Sequence, residues 1–457
     1  MRQRHDLSPF GVAFASGGKP LLQPSDFTYL GSYPVAGGGG VGNGLGSGNG
    51  LVLRYVGGQL RFLTQAYNGG AYDLVEFTLP GSFGTYINSR VTRWAGAGLW
   101  AKTPDNQSPR AATGLFWDPN TAGLLWSVWG PDYPSSTYHE NDPSNNNYYW
   151  SVQTRQLTDG NPGTVSGLTG LFGFTGINSR FVKGGVQPVP SWVQTQYGVG
   201  PYAYGWGGYQ STKTVGPVSF GLAMLLGKAI TTYSNPNTLI PTVDFKIAAD
   251  HRAAAITGDW YTNPGSPSQL DRGQRASDVL NYFNDPSYPS NPATFPAGYG
   301  NPHTGSQWLS PAPDGQGRWV DGDNYWSTGV SIDGPNKQGF LAVGWTSTGK
   351  AYYAGSTINF DGKHAELHCF DWNMLGKAAT GQLNPWNVQP SWAKLLDADL
   401  KPLGPQVLTA GYQSGLGGPG TGVGAAVFDP TTKRLYAWIP AAQTSGDCAL
   451  ACYSVNC

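Results

Sequence analysis

The residues with the most pointed chemistry are His364, Glu366 and His368, in the run His364-Ala365-Glu366-Leu367-His368. On a strand, residues two apart leave the same face, so two imidazoles and a carboxylate would project together. Such a set can hold zinc or iron and would support a metal-dependent oxidoreductase. The spacing is not the helical His-Glu-x-x-His pattern. A polar strand face bonded to neighbouring loops accounts for it more simply.

A second cluster is rich in oxygen: Asp314-Gly315-Gln316-Gly317, then Asp321-Gly322-Asp323-Asn324. Calcium takes ligands of this kind, with Asp321, Asp323 and Asn324 as candidates. The EF-hand spacing is absent, and Asp-Gly is also ordinary turn chemistry. No other cofactor is expected. Glycoside hydrolysis needs two carboxylates about 5–9.5 Å apart across a cleft. Asp132, Glu140, Asp321 and Asp323 are candidates, but sequence spacing pairs none of them. There is no Gly-x-Ser-x-Gly elbow, and the six histidines accompany no recognisable nucleophile.

Binding chemistry has its own candidates. Pro131 to Trp150 holds Tyr138, Tyr148, Tyr149 and Trp150 in a long polar connection. Long ordered loops are often functional, and these four residues are the expected ligand contacts. The four cysteines, Cys369, Cys448, Cys452 and Cys457, form a Cys-x3-Cys-x4-Cys cluster plus one outlier. No usual zinc spacing fits. A disulfide pinning the C-terminal tail is the preferred reading over free thiols, and the three full pairings stay open.

Composition narrows the class. The chain has 457 residues, 67 Gly and 35 Pro, yet it is 13% aromatic and 12% charged. Gly and Pro at this level raise disorder as a candidate, and the aromatic content argues against it. Many short strands with many turns remain. Formal net charge is zero with no basic stripe, so nucleic acid is not an expected partner. No stretch approaches the roughly 20 apolar residues of a membrane helix. Met1-Arg2-Gln3-Arg4-His5 has a basic flavour but no apolar signal-peptide core follows.

The elements that must position these residues are hairpins. Thr113 to Trp129 reads as two apolar strands joined at Asp118-Pro119-Asn120-Thr121-Ala122-Gly123. The same aromatic-Asp-Pro-x-Thr-x-x-Leu order returns at Phe428-Asp429-Pro430-Thr431-Thr432-Lys433-Arg434-Leu435. Leu51–Tyr55, Gln59–Tyr67 and Ala71–Leu79 form a meander with turns at Gly57-Gly58 and Asn68-Gly69-Gly70. Phe27–Tyr33 is a first strand stopped by Pro34. Tyr325–Ile332, Gly339–Trp345, Lys350–Ala354 and His364–Trp372 are further strands. Ala451–Val455 would close the ring against an early strand. Gly37–Gly50 is a low-complexity loop lacking the Gly-Lys-Ser/Thr of a phosphate site. Ser277–Phe283 is the one helical candidate. Two weaker echoes, Ile87-Asn88-Ser89-Arg90 with Ile177-Asn178-Ser179-Arg180, and Val186–Trp192 with Val388–Trp392, also suggest repeats.

Gly114-Leu115-Phe116-Trp117-Asp118-Pro119, Gly184–Trp192, Gly207-Gly208-Tyr209 and Gly216-Pro217-Val218-Ser219 carry a resemblance that Trp326–Ile332, His364-Ala365-Glu366 and Phe428-Asp429-Pro430 extend across most of the chain. In these residues the chain resembles a group of bacterial and phage-type proteins with no assigned reaction. The resemblance implies a propeller-like fold and supplies no catalytic residue.

The expected fold is all-β: a single β-propeller of about seven blades, a count taken from typical propellers, with long loop insertions. A large sandwich is the runner-up. Residues 1–26 are an extended N-terminal arm. Residues 27–457 are the propeller, with an irregular insertion at 233–310. The expected function is non-catalytic: a surface-displayed structural or binding protein, such as a virion decoration or receptor-binding component. It would contact polysaccharide or other structural proteins, in an oligomer or larger assembly, at an extracellular or virion surface. The rival is a secreted polysaccharide hydrolase or lyase using carboxylates at the propeller mouth.

Overall fold

Strands with two apolar faces dominate the computed structural model. It describes residues 19–35, 50–68, 71–94, 114–117, 124–128, 152–160, 162–172, 174–175, 184–206, 222–225, 237–241, 307–308, 324–347, 351–354, 357–360, 363–383, 388, 391–395, 413–414, 425–439 and 448–457. The described residues form an all-β protein of several antiparallel sheets with few helices.

Four sheets are meanders read straight along the chain. The first contains β2 (Leu51–Val56), β3 (Gln59–Asn68), β4 (Ala71–Phe77) and β5 (Thr92–Trp94). The second contains β6 (Gly114–Trp117), β7 (Leu124–Val128), β8 (Val152–Thr158) and β9 (Thr164–Phe172). In the third, β11 (Gly184–Pro188), β12 (Tyr202–Trp206), β13 (Leu222–Leu225) and β14 (Asn237–Pro241) pair in order, and β10 (Phe174–Thr175) adds a short parallel edge. The fourth contains β16 (Asn324–Asp333), β17 (Gln338–Ser347), β20 (Lys363–Phe370) and β21 (Trp392–Leu395).

The fifth sheet joins the two ends of the sequence. Three late strands, β23 (Ala425–Asp429), β24 (Arg434–Ile439) and β25 (Cys448–Val455), take β1 (Phe27–Val35) as their fourth. β1 runs antiparallel to β25 from Phe27↔Val455 to Val35↔Cys448. The early strand expected to meet the tail is therefore β1. Pro34 does not stop it, because a proline is tolerated on an edge strand. A sixth, smaller sheet contains β15 (Gln307–Trp308), β18 (Ala351–Ala354), β19 (Thr357–Phe360) and β22 (Gln413–Ser414).

Alternation explains how the sheets meet. On β24, Leu435 and Ala437 point one way and Tyr436 and Trp438 the other, and all four are buried. Leu435, Ala437, Ala451 and Tyr453 share a core with Val330, Leu341, Leu367 and Cys369 of the fourth sheet. Tyr436, Trp438, Leu450 and Cys452 share another with Leu51, Phe62, Val75 and Phe77 of the first. The opposite face of the first sheet, Val52, Leu63, Leu74 and Trp94, packs on Leu115 and Leu157 of the second. Sheets buried on both faces must stack face to face. The opening strands are neighbours in a cycle: β2 beside β6, β6 beside β11, β11 beside β16, β16 beside β23, and β23 beside β2.

Residues 19–26, part of the expected extended arm, are strapped to the fourth and fifth sheets. Leu22 N–H donates to Gln338 O and Gln338 N–H to Pro20 O, while Trp392 Nε1 donates to Leu22 O. The Leu22 side chain is fully buried. β14 falls inside the stretch expected to be an irregular insertion, and it is the fourth strand of the third sheet.

Two helices were not anticipated. α1 (Ser191–Tyr197) lies between β11 and β12. α2 (Trp372–Ala379) follows β20, with Asp371 as a cap accepting from Asn373 N–H. They meet where Tyr197 Oη donates to Asn373 Oδ1 and the Tyr197 ring covers Gly376. A Cβ at Gly376 would fall within that ring. Alanine has the better helix propensity by about 0.8–1.0 kcal/mol, but overpacking costs about 1–3 kcal/mol. Gly376→Ala is therefore expected to lower stability by about 1 kcal/mol, read as a lower denaturant midpoint at unchanged m-value. An unchanged or higher midpoint would show that the ring moves aside freely. The expected helix at Ser277–Phe283 lies outside the described residues.

Candidate functional site

In a chain with few charges, Arg54 stands out inside the apolar run Leu51-Val52-Leu53-Arg54-Tyr55-Val56. Strand alternation aims it at the second sheet. Its Nε donates to Glu76 Oε1 at 2.6 Å and its Nη2 to Asp159 Oδ1 at 2.6 Å. The guanidinium carbon lies 4.9 Å from the centroid of the Trp117 ring and 5.6 Å from that of Trp94. Glu76, with no exposed side-chain surface, also accepts from Arg61 Nη1 at 3.0 Å. Burial alone would lower the Arg54 pKa, but the bonds to Glu76 and Asp159 more than offset it and the net shift is upward. Cation–π contact and two charge-assisted bonds make this a joint between sheets.

Each neighbouring pair of sheets has such a joint. Between the second and third, Phe116 and Tyr202 pack edge to face at 5.8 Å. Between the third and fourth, Trp192 Nε1 donates to Gln338 Oε1 at 2.7 Å. Between the fourth and fifth, Lys337 Nζ donates to buried Asp26, and Lys19 Nζ reaches Asp333 at 2.6 Å. Between the fifth and first, Tyr55 Oη donates to Asp429 Oδ2 at 2.7 Å. Apart from Trp192 on α1 and Lys19 in the segment before β1, these groups sit at or beside one end of a strand. That end is where first strands lead to second strands and third strands to fourth strands.

Asp429 also explains the repeated Asp-Pro hairpin. Its carboxylate accepts from Thr431 N–H at 3.0 Å and Thr432 Oγ1 at 2.5 Å, fixing its own turn. Both copies of the motif join the first and second strands of a sheet, so they occupy equivalent places. Residues 118–123 lie outside the described residues. The other echoes are not equivalent. Ile87-Asn88-Ser89-Arg90 precedes a fourth strand, and residues 177–180, also outside the described residues, precede a first strand. Val186 lies on a first strand, whereas Trp392 opens a fourth.

No family model, curated protein or solved structure matches this chain. The functional reading therefore rests on geometry and chemistry.

The residues expected to do chemistry divide as follows. Tyr138, Tyr148, Tyr149, Trp150, Asp321 and Asp323 lie outside the described residues, as do Asp132 and Glu140. Asn324 opens β16, opposite Thr346. His364, Glu366 and His368 are on β20 with the expected period-two spacing, opposite Thr346, Gly344 and Ala342. His368 is buried, 6.4 Å from the Phe370 ring. Among the described residues no group of three His, Cys, Asp or Glu could hold a metal.

The cysteines depart from the expected disulfide. Cys369, Cys452 and Cys457 carry free, buried thiols. Cys448 and Cys452 are four residues apart on extended β25, about 13 Å, and a disulfide needs Cα atoms within about 7 Å. Cys452 faces the first sheet, whereas Cys369 and Cys457 are in the core on the opposite face of the fifth. Strand geometry thus separates Cys452 from all three others. The Cys448 side chain is outside the described set.

Cys452 lies with Tyr436, Tyr33 and Arg434. Burial raises the Cys452 thiol to about 11 and the Tyr436 phenol to about 12. Both groups are neutral when protonated, so the folded state holds their protons more tightly than the unfolded chain. Their contribution is complete below pH 9, the ordinary thiol value, and is lost as pH rises through about 11 for Cys452 and about 12 for Tyr436. Melting temperature is expected to fall across pH 9 to 12, and less steeply in Cys452→Ala/Tyr436→Phe. Parallel profiles for the two proteins would refute this assignment.

Proposed function

We propose that this chain is a non-catalytic structural or binding protein displayed on a surface, such as a decoration or receptor-binding component of a virion, built on a five-bladed β-propeller. The observation that carries it is the cycle of first strands, with a joint at every neighbouring pair and β1 completing the last sheet. The cycle favours five blades over the seven typical of propellers, because the sixth sheet draws its strands from excursions beside the fourth. A ring whose sheets are buried on both faces is a rigid platform for loops.

The chemistry of the buried carboxylates supports a structural role. Glu76 is held by Arg54 and Arg61, Asp73 by Arg93, Asp26 by Lys337, and Asp429 by its own turn and Tyr55. A glycosidase acid or nucleophile must instead face an open cleft toward its partner carboxylate. No described helix is long and apolar enough to cross a membrane. Polysaccharide and structural proteins are the proposed partners.

Mass spectrometry of purified virions and of cell-envelope fractions from the source tests this reading. Stoichiometric presence of the chain in either particle is the expected result. Recovery solely as a soluble monomer that cleaves glycan would overturn it and favour the hydrolase.

A further inference from the structure

The outer edge of β1 carries a built aromatic surface. β1 is the edge strand of the fifth sheet, and the link from β4 to β5 lies along its second half. Gly84 N–H donates to Ser32 O at 2.8 Å and Ile87 N–H to Pro34 O at 2.8 Å. A parallel bridge joins Val35 to Ile87, whose side chain is buried. Upstream of that bridge, Ser82 to Thr85 is a tight turn closed by Thr85 N–H to Ser82 O. Gly84 has φ +81°, the positive value that the third position of such a turn can demand. Phe83 stands at the corner of the turn.

The Phe83 ring has a seat prepared for it. A Cβ at Gly31 would come within 2.5 Å of Phe83 Cγ, so glycine lets the ring lie on the strand backbone. The ring centroid is 4.8 Å from that of Tyr33, which is buried. Yet Phe83 keeps 39% of its surface exposed, and Tyr86, three residues on, keeps 45%. Leu30, beside Gly31, is the extra residue of a bulge in β1 and is 37% exposed. The bulge also changes the facing of the strand. Phe27 and Tyr29 pack toward the fourth sheet, whereas Tyr33 and Val35 pack toward the first. Three of the four exposed large hydrophobics among the described residues thus belong to this one edge, the fourth being Tyr55.

We propose that Phe83, Tyr86 and Leu30 form a glycan-binding surface, and that its ligand is a neutral polysaccharide chain. This rests on the binding-protein reading above and gives it a site. Charge selects the class of ligand. Residues 27–35 and 78–89 contain no Asp, Glu, Lys, Arg or His, so the surface offers nothing to steer an ionic polymer. The flanking Arg90 is already engaged, and Arg434 bonds Tyr436. Area excludes a second copy or a large protein partner. The three side chains together expose on the order of 250 Å². A stable protein interface takes about 800 Å² from each side. Aromatic faces of this extent suit stacking on about one or two sugar rings. Hydroxyls stand beside them for the polar rim of a sugar: Ser82 Oγ and Thr85 Oγ1, 3.0 Å apart, and the Tyr86 phenol. Because Gly31, Tyr33 and the two main-chain bonds already hold the turn, binding orders little that is not ordered beforehand.

The full-length protein is run in affinity electrophoresis through gels cast with soluble neutral polysaccharides: a β-glucan, a xylan and a mannan. Wild type is compared with Phe83→Ala/Tyr86→Ala, with the milder Tyr86→Ala, with the ring-preserving Phe83→Tyr, and with Tyr148→Ala/Tyr149→Ala/Trp150→Ala. Retardation of wild type, a loss of about tenfold or more in affinity in the Phe83/Tyr86 double variant, an intermediate loss in Tyr86→Ala and retention in Phe83→Tyr are the expected results. Thermal midpoints of the variants show whether a loss is local, and Tyr86→Ala, which empties no core site, decides the matter if the double variant is destabilised. Undiminished retardation of both Phe83/Tyr86 and Tyr86 variants, or a loss confined to the Tyr148/Tyr149/Trp150 variant, would overturn this site and leave a glycan-binding protein. Self-association or capture of a protein of the particle that fails in the Phe83/Tyr86 variant, with no retardation by any glycan, would overturn the polysaccharide assignment. Binding to neither glycan nor protein would overturn the binding-protein reading together with the site.

Discussion

A chain lacking residues 1–35 is expected to show no cooperative thermal transition. Those residues supply the fourth strand of the fifth sheet and the strap beneath the fourth. Leu22, Phe27 and Val35 are buried at 0%, 8% and 0% exposure. Burying three such side chains contributes about 4–9 kcal/mol. Net stabilities of domains are themselves only about 5–15 kcal/mol. The deletion also exposes one edge of β25, leaving it paired with β24 alone, and breaks the Asp26–Lys337 and Lys19–Asp333 pairs. Leu22→Ala is the milder probe. It is expected to cost about 2–5 kcal/mol, the range for emptying a fully buried leucine site. Differential scanning calorimetry reads both. A truncated chain melting sharply at the wild-type temperature would mean that β1 merely decorates a sheet stable without it.

Glu76→Ala should be the most damaging single substitution of a charged residue. Removing one partner of a buried pair leaves an uncompensated charge and costs about 3–5 kcal/mol. Here the loss strands two guanidiniums, Arg54 with 6% of its side chain exposed and Arg61 with 18%. Arg54 retains Asp159, which is half exposed and a weaker partner. The double variant Arg54→Met/Glu76→Leu is expected to be more stable than Glu76→Ala alone, because the charges leave together and an apolar pair fills the space between Trp94 and Trp117. Urea denaturation of wild type, Arg54→Met, Glu76→Leu and the double closes the cycle. Additive costs would show that the pair is not coupled.

The sequence disclosed hairpins where the turn chemistry was local. Gly57 and Gly58 both have positive φ, so the turn between β2 and β3 could be placed from two letters. The Asp-Pro motif was legible for a similar reason: one side chain, Asp429, fixes the turn that follows it. The helices were hidden. α2 is eight residues long and begins two residues after a strand, so Trp372, Leu375 and Ala379 give barely two turns of helical period. The number of sheets was hidden by topology, since one sheet borrows a strand from the far end of the chain. The buried joints were missed because Arg54, Glu76 and Asp159 are far apart in sequence. A signal existed: in a chain 12% charged, Arg54 and Glu76 each interrupt an apolar strand. Such a charge needs a partner inside. The loop aromatics and the Asp321–Asn324 cluster could be named from residue type alone.

Because β1 pairs with β25, a strand made more than 400 residues before its partner is among the last to find its place. Phe27–Val35 must wait until residues 448–455 have been made. Until then the growing chain carries an unpaired, partly apolar strand. Nascent chains in that state are open to capture by strand edges of their neighbours. High-level expression is therefore where this protein should be most prone to inclusion bodies, and slower translation or holdase chaperones should raise its soluble yield.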